Sequence, residues 1–281
     1  IMNTRTIDMP TLLEQVIDVS QQAGAAILDV YNSSDFGVQT KADDSPLTKA
    51  DLAAHHILAP ALAQLLEGVP VLSEESELPP WSERQTWQRY WIIDPLDGTK
   101  EFINRNDEFT VNVALIENGV PILGVVYVPV YGWTYAAASS LGAVKIDSDG
   151  RRAIGVRTVA SRLDTQQPVQ LVASRRHGAE AIEALVARAE QALGKVERVS
   201  MGSSLKLCLV AEGEADLYPR LALTSEWDTA AAQAVVEAAG GTVVDSNFEL
   251  LRYNQKDDIL NPFFHVIGDS SFNWQSVINA E

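Results

Sequence analysis

The stretch WIIDPLDGTKEF, residues 91–102, changes within a few positions from an apolar run to a polar turn that carries two carboxylates. The β-branched and aromatic residues at its start favour a buried strand. Pro95 holds the residue before it in an extended conformation and is expected to end regular pairing, which places Asp94 at the carboxyl end of the strand. Gly98 can adopt a positive φ in the turn that follows, and a short helix is predicted to begin at Lys100.

Asp94 and Asp97 can converge on one cation across this turn. Their mutual repulsion would raise one pKa sharply unless a metal ion or a basic group lay between them. Mg²⁺ is a hard ion that prefers carboxylate and carbonyl oxygens, and the backbone carbonyl of Leu96 offers a further ligand. The alternative interpretation is that both residues are ordinary turn formers, since Asp is common in turns.

The composition is that of a globular protein with a sizeable core, because 46% of the 281 residues are hydrophobic and 21% are charged. The formal net charge of −17 argues against a binder of nucleic acid polymers or of anionic membrane surfaces, which would need a basic face. An anionic substrate would therefore have to be bound by local cations or metal ions.

The single cysteine, Cys208, lies in an apolar run and is expected in the core. One cysteine allows no intrachain disulfide, which fits a reducing compartment. No apolar stretch reaches the length of about 18 residues that a membrane span requires, so no integral membrane segment is expected. A cytoplasmic location is predicted, compatible with peripheral association with the inner membrane, and the sequence leaves the oligomeric state open.

Two amphipathic helices are predicted in the first seventy residues. Thr11 begins a capping box for a helix over residues 11–31, and Thr48 caps a second helix that runs to about residue 66. Asp51 falls in the first turn of the second helix, where a carboxylate is often only a cap. The polar residues 33–46 between the helices are predicted to form a mobile flap, since little in them can be buried.

Strands follow these helices. A short strand over residues 69–72 runs into Glu74 and Glu75, and because adjacent residues of a strand point to opposite sides, at most one of these acids is expected to face the ion. An Asn-Gly turn at residues 118–119 is a strong hairpin signal. The strands around and after this turn are predicted over residues 110–117, 122–128, 131–138 and 143–146.

The two halves of the chain differ in pattern. Residues 1–155 predict an α+β domain with helices on one face of a largely antiparallel sheet, whereas residues 156–281 alternate strands and helices and predict an α/β domain packed against it. The predicted strands of the second half are residues 169–173, 215–218, 242–244 and 265–268. Its predicted helices are residues 179–193, 203–211 and 229–239.

Three motifs resemble the inositol monophosphatase superfamily of Mg²⁺-dependent, lithium-sensitive phosphatases. They occur in the family's order and spacing and are SEES at residues 73–76, DPLDGT at residues 94–99 and EWDTAAAQAVVEAAGG at residues 226–241. Two further stretches, residues 100–102 and residues 202–220, resemble the CysQ-type 3′(2′),5′-bisphosphate nucleotidases within that family. The resemblance covers nearly the whole chain and implies a layered αβαβα sandwich of the sugar phosphatase type.

The resemblance implies a site for two or three Mg²⁺ ions. One ion would be bound by Glu74, Asp94 and the Leu96 carbonyl. A second would be bound by Asp94, Asp97 and Asp228, so that the ions bridge the scissile phosphate. Taken alone, Asp228 ahead of an Ala-rich helix could be a simple N-cap.

The resemblance also implies the catalytic and substrate-binding residues. A water would be deprotonated with help from Thr99, itself oriented by Asp51, or from Glu74. The residues around the reacting phosphate would be Glu74, Leu96, Asp97, Gly98, Thr99 and Asp228. The other phosphate would be bound at the start of a helix by Ser203, Ser204 and Lys206, with Arg220 as a further candidate. The nucleoside would be bound by the loop at residues 174–177, which contains His177.

The resemblance to the nucleotidase branch implies hydrolysis of adenosine 3′,5′-bisphosphate to AMP and phosphate, which would remove a by-product of sulfate assimilation. An inositol monophosphatase or another small sugar phosphatase would share the metal-binding residues and differ at residues 100–102 and 202–220. An alternative of another class is a noncatalytic nucleotide-sensing module on the same fold. The intact set of Glu74, Asp94, Asp97, Thr99 and Asp228 argues against that alternative, since a binding module would not require the full set.

Overall fold

The computed structural model describes residues 6–173 and 179–279. The helices in this part of the chain are α1 (Met9–Tyr31), α2 (Lys49–Leu65), α3 (Trp81–Arg84), α4 (Thr99–Ile103), α5 (Val159–Asp164), α6 (Ala179–Leu193), α7 (Leu205–Ala211), α8 (Glu226–Ala238) and α9 (Gln275–Ile278). The strands of the first half are β1 (Gln39–Thr40), β2 (Pro46–Leu47), β3 (Val71–Ser73), β4 (Arg89–Asp97), β5 (Thr110–Glu117), β6 (Val120–Val128), β7 (Trp133–Ala138), β8 (Gly142–Asp147) and β9 (Gly150–Ile154). The strands of the second half are β10 (Val169–Ala173), β11 (Val196–Ser200), β12 (Leu217–Arg220), β13 (Thr242–Asp245) and β14 (Phe264–Ile267).

The two N-terminal helices form largely where the sequence predicts them. Helix α1 begins at Met9, two residues before the predicted start, because Asp8 rather than Thr11 caps it and accepts a hydrogen bond from the Thr11 amide at 3.3 Å. Helix α2 is capped by Thr48 as predicted, and the Asp51 carboxylate closes its capping box.

A seven-stranded sheet occupies the first half of the chain. Its strands follow the order β3-β4-β5-β6-β7-β8-β9, with the β3–β4 pair parallel and the other pairs antiparallel. The predicted hairpin joins β5 and β6, and both turn residues, Asn118 and Gly119, have the positive φ that a type I′ turn requires. The last strand, β9, was not predicted, because its residues are mostly exposed and carry no apolar alternation.

A five-stranded sheet occupies the second half, in the order β11-β10-β12-β14-β13. Strand β10 runs parallel to β11 and β12, whereas β14 is antiparallel to β12 and β13. The sequence did not predict β11. This edge strand, with the sequence VERVS, is partly exposed along its whole length, so it lacks the apolar run of a buried strand.

The elements stack in five layers. One apolar core lies between α1, α2 and one face of the seven-stranded sheet. A second core joins the other face of that sheet to α7, α8 and the five-stranded sheet, and it includes the fully buried Cys208. A third core packs α6 and α9 on the outer face of the five-stranded sheet. The predicted αβαβα sandwich is therefore confirmed, and none of the described helices is long and apolar enough to cross a lipid bilayer.

Helix α8 packs directly on β6 at Gly124. A Cβ atom at this position would lie inside contact distance of the Ala231 carbonyl oxygen and 2.7 Å from the Ala234 Cβ. Since the obstructing atoms include helix backbone, a side chain at position 124 would push α8 away from the sheet. This close approach fixes the position of the helix whose first turn carries Asp228.

Gly124→Ala should therefore lower the free energy of unfolding by about 3 kcal/mol, the upper part of the usual range for overpacking a core. Urea or guanidinium unfolding followed by circular dichroism measures the change. Gly155→Ala is the matched control, because Gly155 has no positive φ and its nearest obstruction, the Ala239 carbonyl oxygen, is 3.7 Å away. Equal stabilities of the two variants would contradict the close packing of α8.

Candidate active site

A β-bulge brings Asp94 and Asp97 to one face of the seven-stranded sheet. Asp94 pairs with Asn112 and Asp97 with Thr110, so three steps along β4 match two steps along β5. In a regular strand, residues three apart point to opposite faces, and the extra residue in β4 removes that difference. Regular pairing is interrupted at Pro95 as expected, but the expectation that Asp94 ends the strand is wrong. Strand β4 continues to Asp97, because Pro95 lies in the bulge, where a missing amide proton is tolerated.

Helix α8 supplies the third carboxylate. The helix is capped by Ser225 and begins at Glu226, so Asp228 lies in its first turn and not ahead of it as predicted. The Ser225 amide donates a hydrogen bond to Asp228 Oδ2 at 2.7 Å. Asp94, Asp97 and Asp228 each present a carboxylate oxygen within 4.8 Å of the others.

The three carboxylates repel one another in a site with little solvent. Asp94 is 1% exposed, and burial together with Glu74, Asp97 and Asp228 raises the pKa of its carboxyl group. Burial and the Asp97 carboxylate raise the pKa of Asp228 to about 7. A divalent cation among these oxygens would remove the repulsion, and an all-oxygen donor set suits a hard cation. The residues present therefore fit a metal site.

Thr99 and Asp51 meet beside this cluster. Thr99, the first residue of α4, donates its hydroxyl proton to Asp51 Oδ1 at 2.9 Å and lies 3.4 Å from the Leu96 carbonyl oxygen. The other oxygen of Asp51 accepts from the Thr48 amide at 2.7 Å. Asp51 is fully buried, and burial raises the pKa of its carboxyl group. Gly98, which precedes α4, has the positive φ expected from the sequence.

The flap between α1 and α2 contacts the site through Lys41. This residue follows the short β1 strand, and its Nζ lies 3.1 Å from Glu74 Oε1 and 2.8 Å from Glu75 Oε1. Burial lowers the pKa of Lys41, but the two glutamates more than offset that effect and raise it. The expectation that at most one of the two glutamates faces the ion stays a prediction. Both acids lie in a turn after β3 and not in the strand, so the alternation of strand side chains does not apply.

A cavity of about 130 Å³ joins the acid cluster to two cations. Its lining includes Asp97, Asp228, Ser203, Lys206 and Arg220. Burial and the neighbouring Arg220 lower the pKa of Lys206. Two buried polar atoms of the lining, Ser203 Oγ and Arg220 Nε, have no hydrogen-bond partner among the described residues.

The start of α7 differs from the prediction. The helix begins at Leu205, so Ser203 lies ahead of it with a φ of 49°, a conformation that is uncommon for residues other than glycine. Ser204 is the cap residue, and its amide donates to Asp97 Oδ2 at 2.7 Å. The predicted nucleoside contact, His177, lies outside the described residues.

Two residues near the site escaped the sequence analysis. Lys41 was hidden in a polar loop, where lysine is common, and only the folded flap places it beside Glu74 and Glu75. Asn112 could have been identified from the sequence, because it is a polar residue within the apolar strand TVNVALIE. Asn112 is 1% exposed and hydrogen-bonded to Ser204.

The family model for the inositol monophosphatase family matches residues 8–269. The chain belongs to the inositol monophosphatase family. Within this family, it is 48% identical over 256 residues to the 3′(2′),5′-bisphosphate nucleotidase CysQ of Escherichia coli K12, covering 91% of this chain and 99% of that protein. It is 37% identical over 267 residues to the protein of the same name from Haemophilus influenzae, covering 95% of this chain and 96% of that protein. These names match the branch expected from the sequence.

Solved structures of the inositol monophosphatase family share the fold. The CysQ structure from Bacteroides thetaiotaomicron aligns with a TM-score of 0.77 at 44% identity, covering 91% of this chain and 96% of that one. The inositol monophosphatase from Anabaena aligns with a TM-score of 0.70 at 25% identity, covering 97% of this chain and 94% of that one. The predicted fold and family are therefore confirmed.

Asp94→Asn should stabilise the metal-free protein, because it removes one charge from three crowded carboxylates. Since one pKa unit corresponds to about 1.4 kcal/mol, we expect a gain of about 1 kcal/mol in the free energy of unfolding in EDTA. The same variant should lose most of the increase in melting temperature that MgCl₂ gives the wild-type protein. Differential scanning calorimetry with and without MgCl₂ measures both effects.

The matched control is Asp29→Asn, which removes one negative charge from an exposed position on α1. This variant should behave like the wild-type protein in EDTA and in MgCl₂. A full Mg²⁺-induced stabilisation of Asp94→Asn would show that Asp94 is not a metal ligand.

Proposed function

We propose that this chain is a Mg²⁺-dependent phosphatase that hydrolyses adenosine 3′,5′-bisphosphate to AMP and phosphate. The observation that carries the proposal is the cavity in which the acid cluster of Asp94, Asp97 and Asp228 adjoins Lys206 and Arg220. One end of this arrangement suits a reacting phosphate with its metal ions, and the other suits a second anionic group. The names of the relatives from Escherichia coli and Haemophilus influenzae support the same substrate class.

The site would hold two or three Mg²⁺ ions. Two overlapping sets of oxygens are assigned to two of these ions. We assign one ion to Glu74, Asp94 and the Leu96 carbonyl, and the second to Asp94, Asp97 and Asp228. Bound Mg²⁺ would stabilise the negative charge of the phosphate in the transition state and lower the pKa of a nearby water. The current contact of Glu74 with Lys41 would then be replaced, at least in part, by the cation.

Thr99 and Asp51 would accept the proton of the attacking water. Thr99 donates its own hydroxyl proton to Asp51, so the lone pairs of Thr99 Oγ1 are free to accept a proton from the attacking water. As that proton arrives at Thr99, the original hydroxyl proton passes to Asp51 Oδ1, and the raised pKa of Asp51 favours its acceptance. Glu74 is the second candidate base. The amides around Gly98 and Thr99 would contact the phosphate oxygens.

The second phosphate of the substrate would bind at Lys206 and Arg220. In a chain of net charge −17, two adjacent, partly buried cations are held together at a cost, since each disfavours the charge of the other. A doubly charged phosphate would remove that repulsion and would also give partners to Ser203 Oγ and Arg220 Nε. His177 is proposed to contact the nucleoside, on the resemblance alone.

The proposed reaction would remove a by-product of sulfate assimilation in the cytoplasm. The substrate partner is a small nucleotide and not a nucleic acid polymer, which a chain of net charge −17 would repel. Inhibition by lithium is expected if Li⁺ occupies one of the Mg²⁺ positions.

A phosphate-release panel tests the proposal. The substrates are adenosine 3′,5′-bisphosphate, inositol 1-phosphate and fructose 1,6-bisphosphate, each measured in MgCl₂, in EDTA, and in MgCl₂ with LiCl or NaCl. We expect the highest kcat/KM for the nucleotide and no turnover in EDTA. In MgCl₂, we expect inhibition by LiCl and none by NaCl. A preference for inositol 1-phosphate would favour the sugar phosphatase alternative, and phosphate release from none of them would favour a noncatalytic module.

Lys206→Ala should weaken turnover of the bisphosphate selectively. Loss of a charge-assisted hydrogen bond is worth roughly 1.5–3 kcal/mol, so kcat/KM for adenosine 3′,5′-bisphosphate should fall about 10–100-fold. Any residual hydrolysis of inositol 1-phosphate should hardly change, because this substrate has no second phosphate. Steady-state phosphate release measures both.

The control is Lys195→Ala, which removes a lysine that is 73% exposed and paired with Glu197. Its kinetics should match those of the wild-type protein on both substrates. If Lys206→Ala lowered both activities equally, Lys206 would serve the shared catalytic site or the fold, and the nucleotide assignment would lose its main local support.

A further inference from the structure

Asn112 lies on β5 directly beside the acid cluster, and none of the roles proposed above uses it. It pairs in register with Asp94, and Thr110, two residues earlier on the same face, pairs with Asp97. Asn112 is 1% exposed and Thr110 is fully buried. Polar side chains in the centre of an otherwise apolar sheet face are costly unless they are hydrogen-bonded, so their bonds show what they do.

The amide of Asn112 is oriented by its neighbours. Thr110 Oγ1 donates to Asn112 Oδ1 at 2.9 Å, while Asn112 Nδ2 donates to Ser204 Oγ at 2.8 Å and points at Asp97 Oδ2 at 3.4 Å. The reverse orientation would place the amide oxygen against the Asp97 carboxylate. The repulsion between those oxygens fixes the NH₂ group toward the acid cluster.

Asn112 in turn orients the hydroxyl of Ser204. Ser204 Oγ lies 2.8 Å from both Asp97 Oδ2 and the Asp228 carbonyl oxygen, but a hydroxyl has only one proton to donate. The Asn112 NH₂ group occupies an acceptor position of that hydroxyl, which turns its proton toward the acceptors. An ionised carboxylate is the stronger acceptor, so the proton goes to Asp97 Oδ2.

The result is that one oxygen of Asp97 is fully engaged by the protein. Oδ2 accepts from the Ser204 amide at 2.7 Å, from the Ser204 hydroxyl and from the Asn112 amide. These donors come from two layers of the fold, since Asn112 belongs to β5 of the seven-stranded sheet and Ser204 caps helix α7. With Oδ2 held in this way, Oδ1 is the oxygen of Asp97 that remains available to a cation.

We propose that Asn112 is a positioning residue for the metal site: through Ser204 it fixes the Asp97 carboxylate so that a single oxygen is presented to Mg²⁺. The inference rests on the metal site of the proposed function. It does not depend on which phosphate ester is hydrolysed. Residues that hydrogen-bond to metal ligands typically affect metal affinity or activity by about 10–100-fold when they are changed.

The test is Mg²⁺ binding by isothermal titration calorimetry, with MgCl₂ added to metal-free protein in the absence of substrate. Asn112→Leu keeps the approximate shape of the side chain and removes its hydrogen bonds. We expect its dissociation constant for Mg²⁺ to rise about 10–100-fold. The MgCl₂ concentration for half-maximal phosphate release should rise by a similar factor, whereas kcat at saturating MgCl₂ should recover toward the wild-type value.

Gln233→Met is the matched control, because Gln233 is also a fully buried amide that hydrogen-bonds to a hydroxyl group, a carboxylate and a backbone carbonyl. Its partners are Tyr253, Glu237 and Leu251, none of which belongs to the acid cluster. The control should bind Mg²⁺ like the wild-type protein even if it loses stability. Equal weakening in Asn112→Leu and Gln233→Met would show a general effect of destabilisation and would overturn the proposal.

Thr110→Val is the second variant. It tests the proposal if circular dichroism shows that Asn112→Leu does not fold. It removes only the hydroxyl that orients the Asn112 amide, so Mg²⁺ binding should weaken in the same direction by a smaller factor. The proposal would be overturned if Asn112→Leu folds and binds Mg²⁺ with wild-type affinity. If Asn112→Leu does not fold, wild-type Mg²⁺ affinity of Thr110→Val would overturn it. Absence of Mg²⁺ binding in the wild-type protein would instead overturn the metal site itself.

Discussion

Three carboxylates that are largely buried and lie within 4.8 Å of one another are the constraint on which the site depends. Such a cluster is unfavourable without a cation, so the surrounding structure must hold each acid in place. The Leu96 amide donates to Asp94, the Ser204 amide and hydroxyl donate to Asp97, and the Ser225 amide donates to Asp228. Backbone donors are well suited to this purpose because their positions are set by the fold and not by a flexible side chain.

The acids come from both halves of the chain, so the site exists only when α8 is correctly packed against the seven-stranded sheet. Helix α8 sits against β6 because Gly124 has no side chain there. Helix α7 is fixed near its end by Glu212, which accepts hydrogen bonds from Lys145 and Tyr135 at 2.8 Å each. The Lys145 ammonium group also lies 4.2 Å from the centre of the Trp133 ring. Contacts far from the acids thereby determine the geometry of the cluster.

The flap adds charge compensation to this arrangement. Its Lys41 ammonium group approaches Glu74 and Glu75 at the edge of the cluster, where burial raises the pKa of Glu75 to about 7. Lys41 thereby compensates the negative charge of both glutamates. The β1–β2 ladder is only two residue pairs long, and most of the flap residues are exposed. Little buried surface therefore holds the flap in one position.

The sequence by itself determined the family, the layered fold, most helices and strands, and the residue types of the acid cluster. It could do so because local signals coincide there: caps, an Asn-Gly turn, apolar strands and short motifs in a set order. Only the tertiary structure decided that β4 continues through a bulge past Pro95, that Lys41 reaches Glu74 and Glu75, and that Asn112 reaches Asp97. These features depend on contacts between segments that are distant in sequence. Side-chain periodicity and capping signals within one segment do not identify the segment against which it packs.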